Sequence, residues 1–421
     1  MHQPPPLELS DFGRKLGGPT GIGELMQDLG EALALNPRRL MMGGGNPARI
    51  PAMEAVWRRR MTELLGQGDA FERMLGHYDQ PRGSPDFIAA LVQCLNRHYG
   101  WRLTARNVCV TNGSQNSFFY LFNMLAGRTG ARHRKILLPL APEYIGYAEQ
   151  GLTDDLFVSC RPLIEELDAR TFKYRIDFDA LPLDADLAAI CVSRPTNPTG
   201  NVLTDAEMRR LSALAKERGL FFLVDGAYGA PFPDIIFSDV EPFWDEHIIL
   251  TLSLSKLGLP GTRNGIVIAR EDVIEALSAI NAVVSLANGN LGQALVAPLL
   301  ANGELLRLSR DVIRPYYEQR ARQAIGWLHD ALAGRVDYRL HAAEGALFLW
   351  LWLPGLQGTS QELYRRLKAR NLLVVSGHHF FYGLHDPAWV HQHECLRLTC
   401  SQPEPVVRAG IKILAEELAR G

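Results

Sequence analysis

Several features that would point to a function are scarce or missing. Six cysteines occupy positions 94, 109, 160, 191, 395 and 400, and no two of them have Cys-x-x-Cys spacing. That argues against a zinc site or a dithiol redox pair. So few thiols in 421 residues fit buried single cysteines in a reducing compartment. An excess of one charge is missing too, since 44 basic residues face 46 acidic ones. A nucleic-acid binder needs a basic face, and this balance offers none. The run Arg58-Arg59-Arg60 is short and reads as a solvated helix face. The longest apolar runs, such as Leu291 to Leu300, are interrupted by Gly, Gln or Pro and fall short of a membrane span. The opening MHQPPPLELSDFGRK lacks the apolar centre of a secretory signal. A cytoplasmic location is therefore expected. No Gly-x-Gly-x-x-Gly follows a strand-like segment, which disfavours a dinucleotide-binding oxidoreductase.

What is present is apolar substance and alternation. Hydrophobic residues make up 47% of the chain, enough for a large core and a second, smaller domain. Residues 1 to about 40 are rich in Pro and Gly and read as an irregular arm. From residue 85 helical and strand-like segments alternate. Helices are expected at 85–98, 115–125 and 205–218, and strands at 107–111, 135–139, 188–193, 220–225, 247–253 and 263–269. Such alternation implies an α/β fold with a mainly parallel sheet covered by helices. After about residue 300 the pattern changes to one long helix at 305–332, the strand-like ALFLWLWL, a helix near 360–370, LLVVS and a closing amphipathic helix. A smaller α+β domain is expected there. The expected division is 1–60 (arm and part of the small domain), 61–300 (large domain) and 301–421 (small domain).

In an open α/β sheet, ligands sit beyond the carboxyl ends of the strands. The residues that follow each strand-like segment are therefore the candidates. After NVCVT comes Asn112-Gly113-Ser114-Gln115 and then a helix. A glycine-led turn into a helix presents N–H groups to an anion, although an ordinary capped turn reads the same way. After AAICVS, two prolines and a glycine fix a loop around Asn197. After LFFLV comes Asp225, with Tyr228 three residues on. A carboxylate ending a buried strand caps a helix or meets a cation. After HIILTLS comes Ser253-Leu254-Ser255-Lys256, with Arg263 following. A lysine amine in apolar surroundings beside a cation can form a Schiff base.

Together, Gly113-Ser114-Gln115, Asn197-Pro198-Thr199-Gly200, Asp225 with Tyr228, and Ser253/Ser255-Lys256 with Arg263 resemble fold-type I aminotransferases dependent on pyridoxal 5′-phosphate. The likeness runs from Gly45-Asn46-Pro47 to Arg397. It implies a large domain with a mainly parallel sheet, and a smaller α+β domain built from both chain ends. It also implies roles. Lys256 would be the Schiff-base lysine and proton shuttle. Asp225 would pair with the pyridine nitrogen. Asn197 and Tyr228 would bond the phenolic oxygen, and Tyr144 would stack on the ring. Gly113, Ser114, Gln115, Ser253, Ser255 and Arg263 would hold the phosphate. Tyr78 would reach the phosphate of a neighbouring subunit, which implies a homodimer. Arg397, helped by the Gly45 backbone and Asn197, would grip the substrate carboxylate. One departure is that Lys256 to Arg263 is one residue shorter than in the aspartate-type branch.

The stretches Met42 to Ala48, Pro139 to Tyr147, Ser193 to Asn201 and Ser253 to Gly261 narrow the resemblance to a branch acting on L-valine and pyruvate. The segment Ser285 to Asn290 carries no Arg or Lys, which disfavours dicarboxylate substrates. Phe380, Phe381 and the segment Gly345 to Phe348 are candidates for the side-chain pocket. Two alternatives stay open: an enzyme for another neutral amino acid, or a non-catalytic ligand-sensing module. The cluster His378, His379, His385, His391 and His393 reads as a solvated loop near the entrance, and no metal is expected.

Overall fold

The computed structural model describes residues 7–35 and 39–420. Strands that are apolar on both faces lie at the centre. Leu187–Ser193 and Ile248–Ser253 are buried at every position. They belong to an eight-stranded sheet ordered Val108–Thr111, Gly265–Ile268, Ile248–Ser253, Phe221–Asp225, Leu187–Ser193, Arg132–Leu138 and Gly127–Thr129, with Phe157–Ser159 also paired to Arg132–Leu138. The run from Ile248–Ser253 to Arg132–Leu138 is parallel, so these strands finish along one edge. Gly265–Ile268 is antiparallel to both its neighbours. Only residues 254–264 separate it from Ser253, with two three-residue 3-10 turns between. A parallel return needs a crossover of a dozen or more residues, usually helical.

A second sheet of six strands is ordered Val375–Ser376, Cys395–Thr399, Phe348–Trp352, Arg339–His341, Thr171–Arg175 and Leu163–Glu166. Two of its strands thus come from the middle of the chain. The two sheets are tied near the Asn197 loop, where Lys173 Nζ donates to Val202 O at 3.1 Å and pairs with Glu344.

Three expectations need correction. The N-terminal arm is helical, at Asp11–Leu16 and Gly21–Leu35. Glycines at 21, 23 and 30 read as breakers, but packing of Ile22 and Leu25 against the main core overrides that propensity. Ser10 Oγ accepts from Gly13 N at 3.2 Å, and Thr20 Oγ1 accepts from Gly23 N at 2.9 Å, which caps the two helix starts. Arg60 is not solvated: it is buried, and its Nε donates to Leu295 O at 3.2 Å. Finally, the long C-terminal helix is Glu304–Leu308 and Arg314–Leu332, joined by a widened π turn at Ser309–Ile313. The widening lies just before Pro315, whose ring would meet the carbonyl four residues back.

Candidate active site

The strand ends converge on a cavity of about 340 Å³. Its lining includes Gly45, Ser114, Gln115, Tyr144, Asn197, Asp225, Tyr228, Ser253, Ser255, Lys256, Arg263 and Arg397. Twelve of the fourteen residues expected at the site are therefore in one place. Gly113 stands behind the lining. Tyr78 is elsewhere on this chain and is 83% exposed.

Lys256 follows the Ile248–Ser253 strand in a 3-10 turn. Its Nζ donates to Gly45 O at 2.6 Å and lies 5.0 Å from the centre of the Tyr228 ring. Burial, then the Arg397 and Arg263 charges, pull its pKa down to about 8, with Asp225 opposing. An amine so placed has a deprotonated fraction near neutral pH, as a nucleophile or proton carrier requires.

Asp225 ends the Phe221–Asp225 strand and is 8% exposed. Tyr147 Oη donates to it, and Ala227 N donates to its Oδ1 at 2.8 Å. Burial nevertheless pushes its pKa up. The pocket thus holds a carboxylate that a cation would return to the ionised form.

At the other end of the cavity, Gly113 takes φ 97° and starts the helix Ser114–Leu125. A Cβ at Gly113 would sit 2.3 Å from Arg263 Nη2, so only glycine lets the guanidinium close over this turn. Helix N-terminus, arginine and the buried Ser253 together form an anion cradle. Arg263 is in place despite the short spacing from Lys256. The Gln115 side chain is engaged elsewhere, donating to Gly146 O at 2.8 Å.

Arg397 is centred on the strand Cys395–Thr399 and is 2% exposed. Its Nη1 donates to Asn197 Oδ1 and its Nη2 to Gly43 O, both at 2.7 Å. Its Nε is buried without a partner. Its guanidinium lies 4.2 Å from the Phe348 ring centre and 5.2 Å from that of Phe380. A buried cation with an unused donor is a ready site for a carboxylate.

Those ring contacts correct the pocket expectation. Phe348 and Phe380 both lie against the arginine, and Phe381 packs on Trp389, with ring centroids 5.5 Å apart. The apolar wall comes instead from Ile22, Leu25 and Met26 of the N-terminal helix. The histidines also differ from expectation. His391 is buried and contacts Tyr174 Oη, while His378 and His379 pack against each other at a tilt, with centroids 3.9 Å apart.

Two further residues escaped the sequence reading. Tyr147 holds Asp225. Glu143, 4% exposed, accepts from Tyr144 N at 2.7 Å, Ser193 N at 3.1 Å and Ser193 Oγ at 2.6 Å. It ties two strand-end loops together, and burial pushes its pKa up to about 8. Both lie in the quoted stretch Pro139 to Tyr147, but no strand-end pattern singles them out.

Comparison with known proteins agrees with this geometry. The family model for aminotransferase class I and II matches residues 55–414. The chain belongs to that family. It is 47% identical over 98% of its length to valine–pyruvate aminotransferase of Escherichia coli (strain K12), covering 99% of that protein. A crystal structure of a putative amino-acid aminotransferase from Psychrobacter arcticum 273-4 superposes with a TM-score of 0.96 at 43% identity, covering 99% of each chain. A valine–pyruvate aminotransferase from Salmonella typhimurium LT2 gives 0.87 at 46% identity, covering 95% of this chain and 99% of that one. The chain is thus an α/β enzyme of fold type I, and its cofactor is pyridoxal 5′-phosphate. The cavity fits that group: bare Gly113 under Arg263 suits a phosphate, Asp225 a ring cation, and Lys256 an aldehyde.

Proposed function

We propose that this aminotransferase moves the amino group of L-valine to pyruvate, giving 3-methyl-2-oxobutanoate and L-alanine. The observation that carries the substrate pair is the 47% identity to a valine–pyruvate aminotransferase over nearly the whole chain. The cavity supports it. Its cationic lining residues are Lys256, Arg263 and Arg397, and the rest of its wall toward the N-terminal helix is apolar. With Arg263 at the phosphate end and Arg397 for the α-carboxylate, no cation among the described lining residues is left for an acidic side chain.

In this reading, Arg397 binds the substrate carboxylate, and Asn197 holds the guanidinium in place. Bound pyridoxal phosphate supplies an aldehyde for the amine and a ring that accepts the electrons of the Cα–H bond. Lys256 would hold the cofactor, and its amine would carry the proton between the substrate Cα and the cofactor C4′. Asp225 keeps the ring nitrogen protonated, with Tyr147 fixing the carboxylate. Tyr228, whose pKa burial pushes up, remains a neutral donor for the phenolic oxygen. Tyr144 covers the ring, and Gly113, Ser114, Gln115, Ser253, Ser255 and Arg263 hold the phosphate. Segment 61–300, apart from the strands Leu163–Glu166 and Thr171–Arg175 that join the second sheet, is then the cofactor domain, and 1–60 with 301–421 completes the substrate side.

A homodimer completes this reading. Val283, Val284 and Leu286 are 88%, 59% and 59% exposed, and Leu75 and Tyr78 are 65% and 83% exposed. Asn290 Nδ2 donates to His77 O at 3.1 Å, which holds these two apolar segments together. A patch of this kind marks an interface, and Tyr78 within it would reach the partner's phosphate. A cytoplasmic setting fits six free, buried cysteines, and no described helix is long and apolar enough to cross a membrane.

An absorbance spectrum of the purified holoenzyme tests the proposal. L-valine should bleach the band of the lysine-bound cofactor, and pyruvate should restore it. A band that valine leaves unchanged while another amino acid bleaches it would remove the valine assignment. Absence of any band after incubation with pyridoxal phosphate would overturn the whole reading.

A further inference from the structure

The polar groups of the cavity leave one direction unassigned. A substrate Cα carries a carboxylate, an amine and a side chain. Arg397 takes the first, and the second would face Lys256. One apolar part of the remaining wall is the N-terminal helix Gly21–Leu35, which presents Ile22, Leu25 and Met26 to the cavity. These three stand at i, i+3 and i+4, one face of a helix.

This helix is fixed to both parts of the molecule. At its start, Gly21 N donates to Glu149 Oε1 at 3.4 Å, and a Cβ at Gly21 would lie 2.8 Å from His379 Nδ1. Seven residues on, Asp28 is 4% exposed, accepts from Tyr364 Oη, and pairs with Lys368 Nζ at 2.5 Å. Anchored at both points, the helix does not adapt by sliding. The shape of the wall is then set by its side chains. Leu25 is half-buried and packs on the main core, whereas Met26 is 59% exposed.

From this we infer that Ile22, Leu25 and Met26 form the side-chain subsite, and that Leu25 is its principal specificity determinant among neutral amino acids. The inference rests on the aminotransferase reading of the same cavity. An apolar wall of this type discriminates by size, at about 10–200-fold per methylene at best.

The test uses full-length holoenzyme. It compares kcat/KM of the amino-donor half-reaction for alanine, valine, leucine and phenylalanine in wild type, Leu25→Ala, Leu25→Phe and Lys368→Ala. Leu25→Ala should lower the valine-to-phenylalanine ratio about tenfold or more. Leu25→Phe should suppress the branched donors and spare alanine. Lys368→Ala, which loosens the anchor alone, should raise KM for all four without reordering them. A second readout needs no turnover. Calorimetry should show 3-methylbutanoate bound about tenfold more weakly by Leu25→Ala, with acetate unchanged. If both Leu25 variants scale every donor and both carboxylates by one factor, the helix is only a cover and the inference is wrong. If the wild type prefers another neutral donor and the Leu25 variants still reorder the panel, the subsite stands and the valine assignment falls. Should Leu25→Ala fail to fold, Leu25→Met and Leu25→Phe carry the same comparison.

Discussion

The floor and the roof of the cavity are built on opposite principles. The floor holds ionisable groups withdrawn from solvent: Asp225 and Lys256 at or just past strand ends, Arg397 within the strand Cys395–Thr399, and Glu143 in the loop after Arg132–Leu138. Burial pushes Lys256 and Arg397 down and the two acids up, so each is poised between charge states or waits for a counter-charge. The roof is an amphipathic helix whose apolar face meets the cavity and whose anchors are ordinary ion pairs and hydrogen bonds. The difference separates two tasks. The floor lowers barriers through electrostatics, which is worth orders of magnitude. The roof selects by shape, worth about tenfold per contact.

Substitutions should break this contrast in graded steps. Asp225→Ala is expected to be the most severe, abolishing transamination to below about a thousandth of wild type while leaving the fold intact. Near-normal turnover in steady-state assays would refute its role. Arg397→Ala should cost roughly a hundredfold in kcat/KM, mostly through KM, because it removes the carboxylate clamp. A kcat-only effect would contradict that.

Lys256 gives a pH signature. Its pKa of about 8 lies below the ordinary lysine value, so the amine is protonated below pH 8. Capture of pyridoxal phosphate by the apo-enzyme should rise about tenfold per pH unit up to pH 8 and then level off. Stopped-flow absorbance would show it. A flat profile from pH 6 to 8 would contradict the shift. The same depression costs folding stability at neutral pH, at most about 3 kcal/mol. The cost is fully present below pH 8 and recedes toward the ordinary lysine value, where the unfolded chain also loses its proton. Lys256→Met should therefore raise the Tm of the apo-enzyme at pH 7, with the gain shrinking at alkaline pH. Tyr147→Phe should be mildest on the floor, slowing turnover a few-fold by freeing one side of Asp225.

The same contrast explains what the sequence made legible. Two groups of the floor were readable because each ends or follows a short apolar strand, where α/β geometry must place it. Asp225 after LFFLV and Lys256 after HIILTLS are of this kind. Arg397 came from the family resemblance, and the second sheet then buried it. Tyr147 and Glu143 act through contacts 78 and 50 residues away in sequence, at Asp225 and Ser193, and no local pattern encodes those distances. The roof was misread because Gly21, Gly23 and Gly30 suggest an arm, and only packing on the core makes it helical. The pocket aromatics failed for a related reason. An aromatic near a site lines a cavity or packs on a cation with equal ease, and Phe348 and Phe380 do the second.

In the proposed mechanism Lys256 is the group that holds the cofactor. Borohydride reduction of the holoenzyme, followed by proteolysis and mass spectrometry, would locate the reduced lysine–cofactor bond directly. The prediction is a single pyridoxyl adduct on the peptide containing Lys256, lost on prior addition of L-valine. An adduct at another lysine, such as the buried Lys173, or no adduct at all, would contradict it.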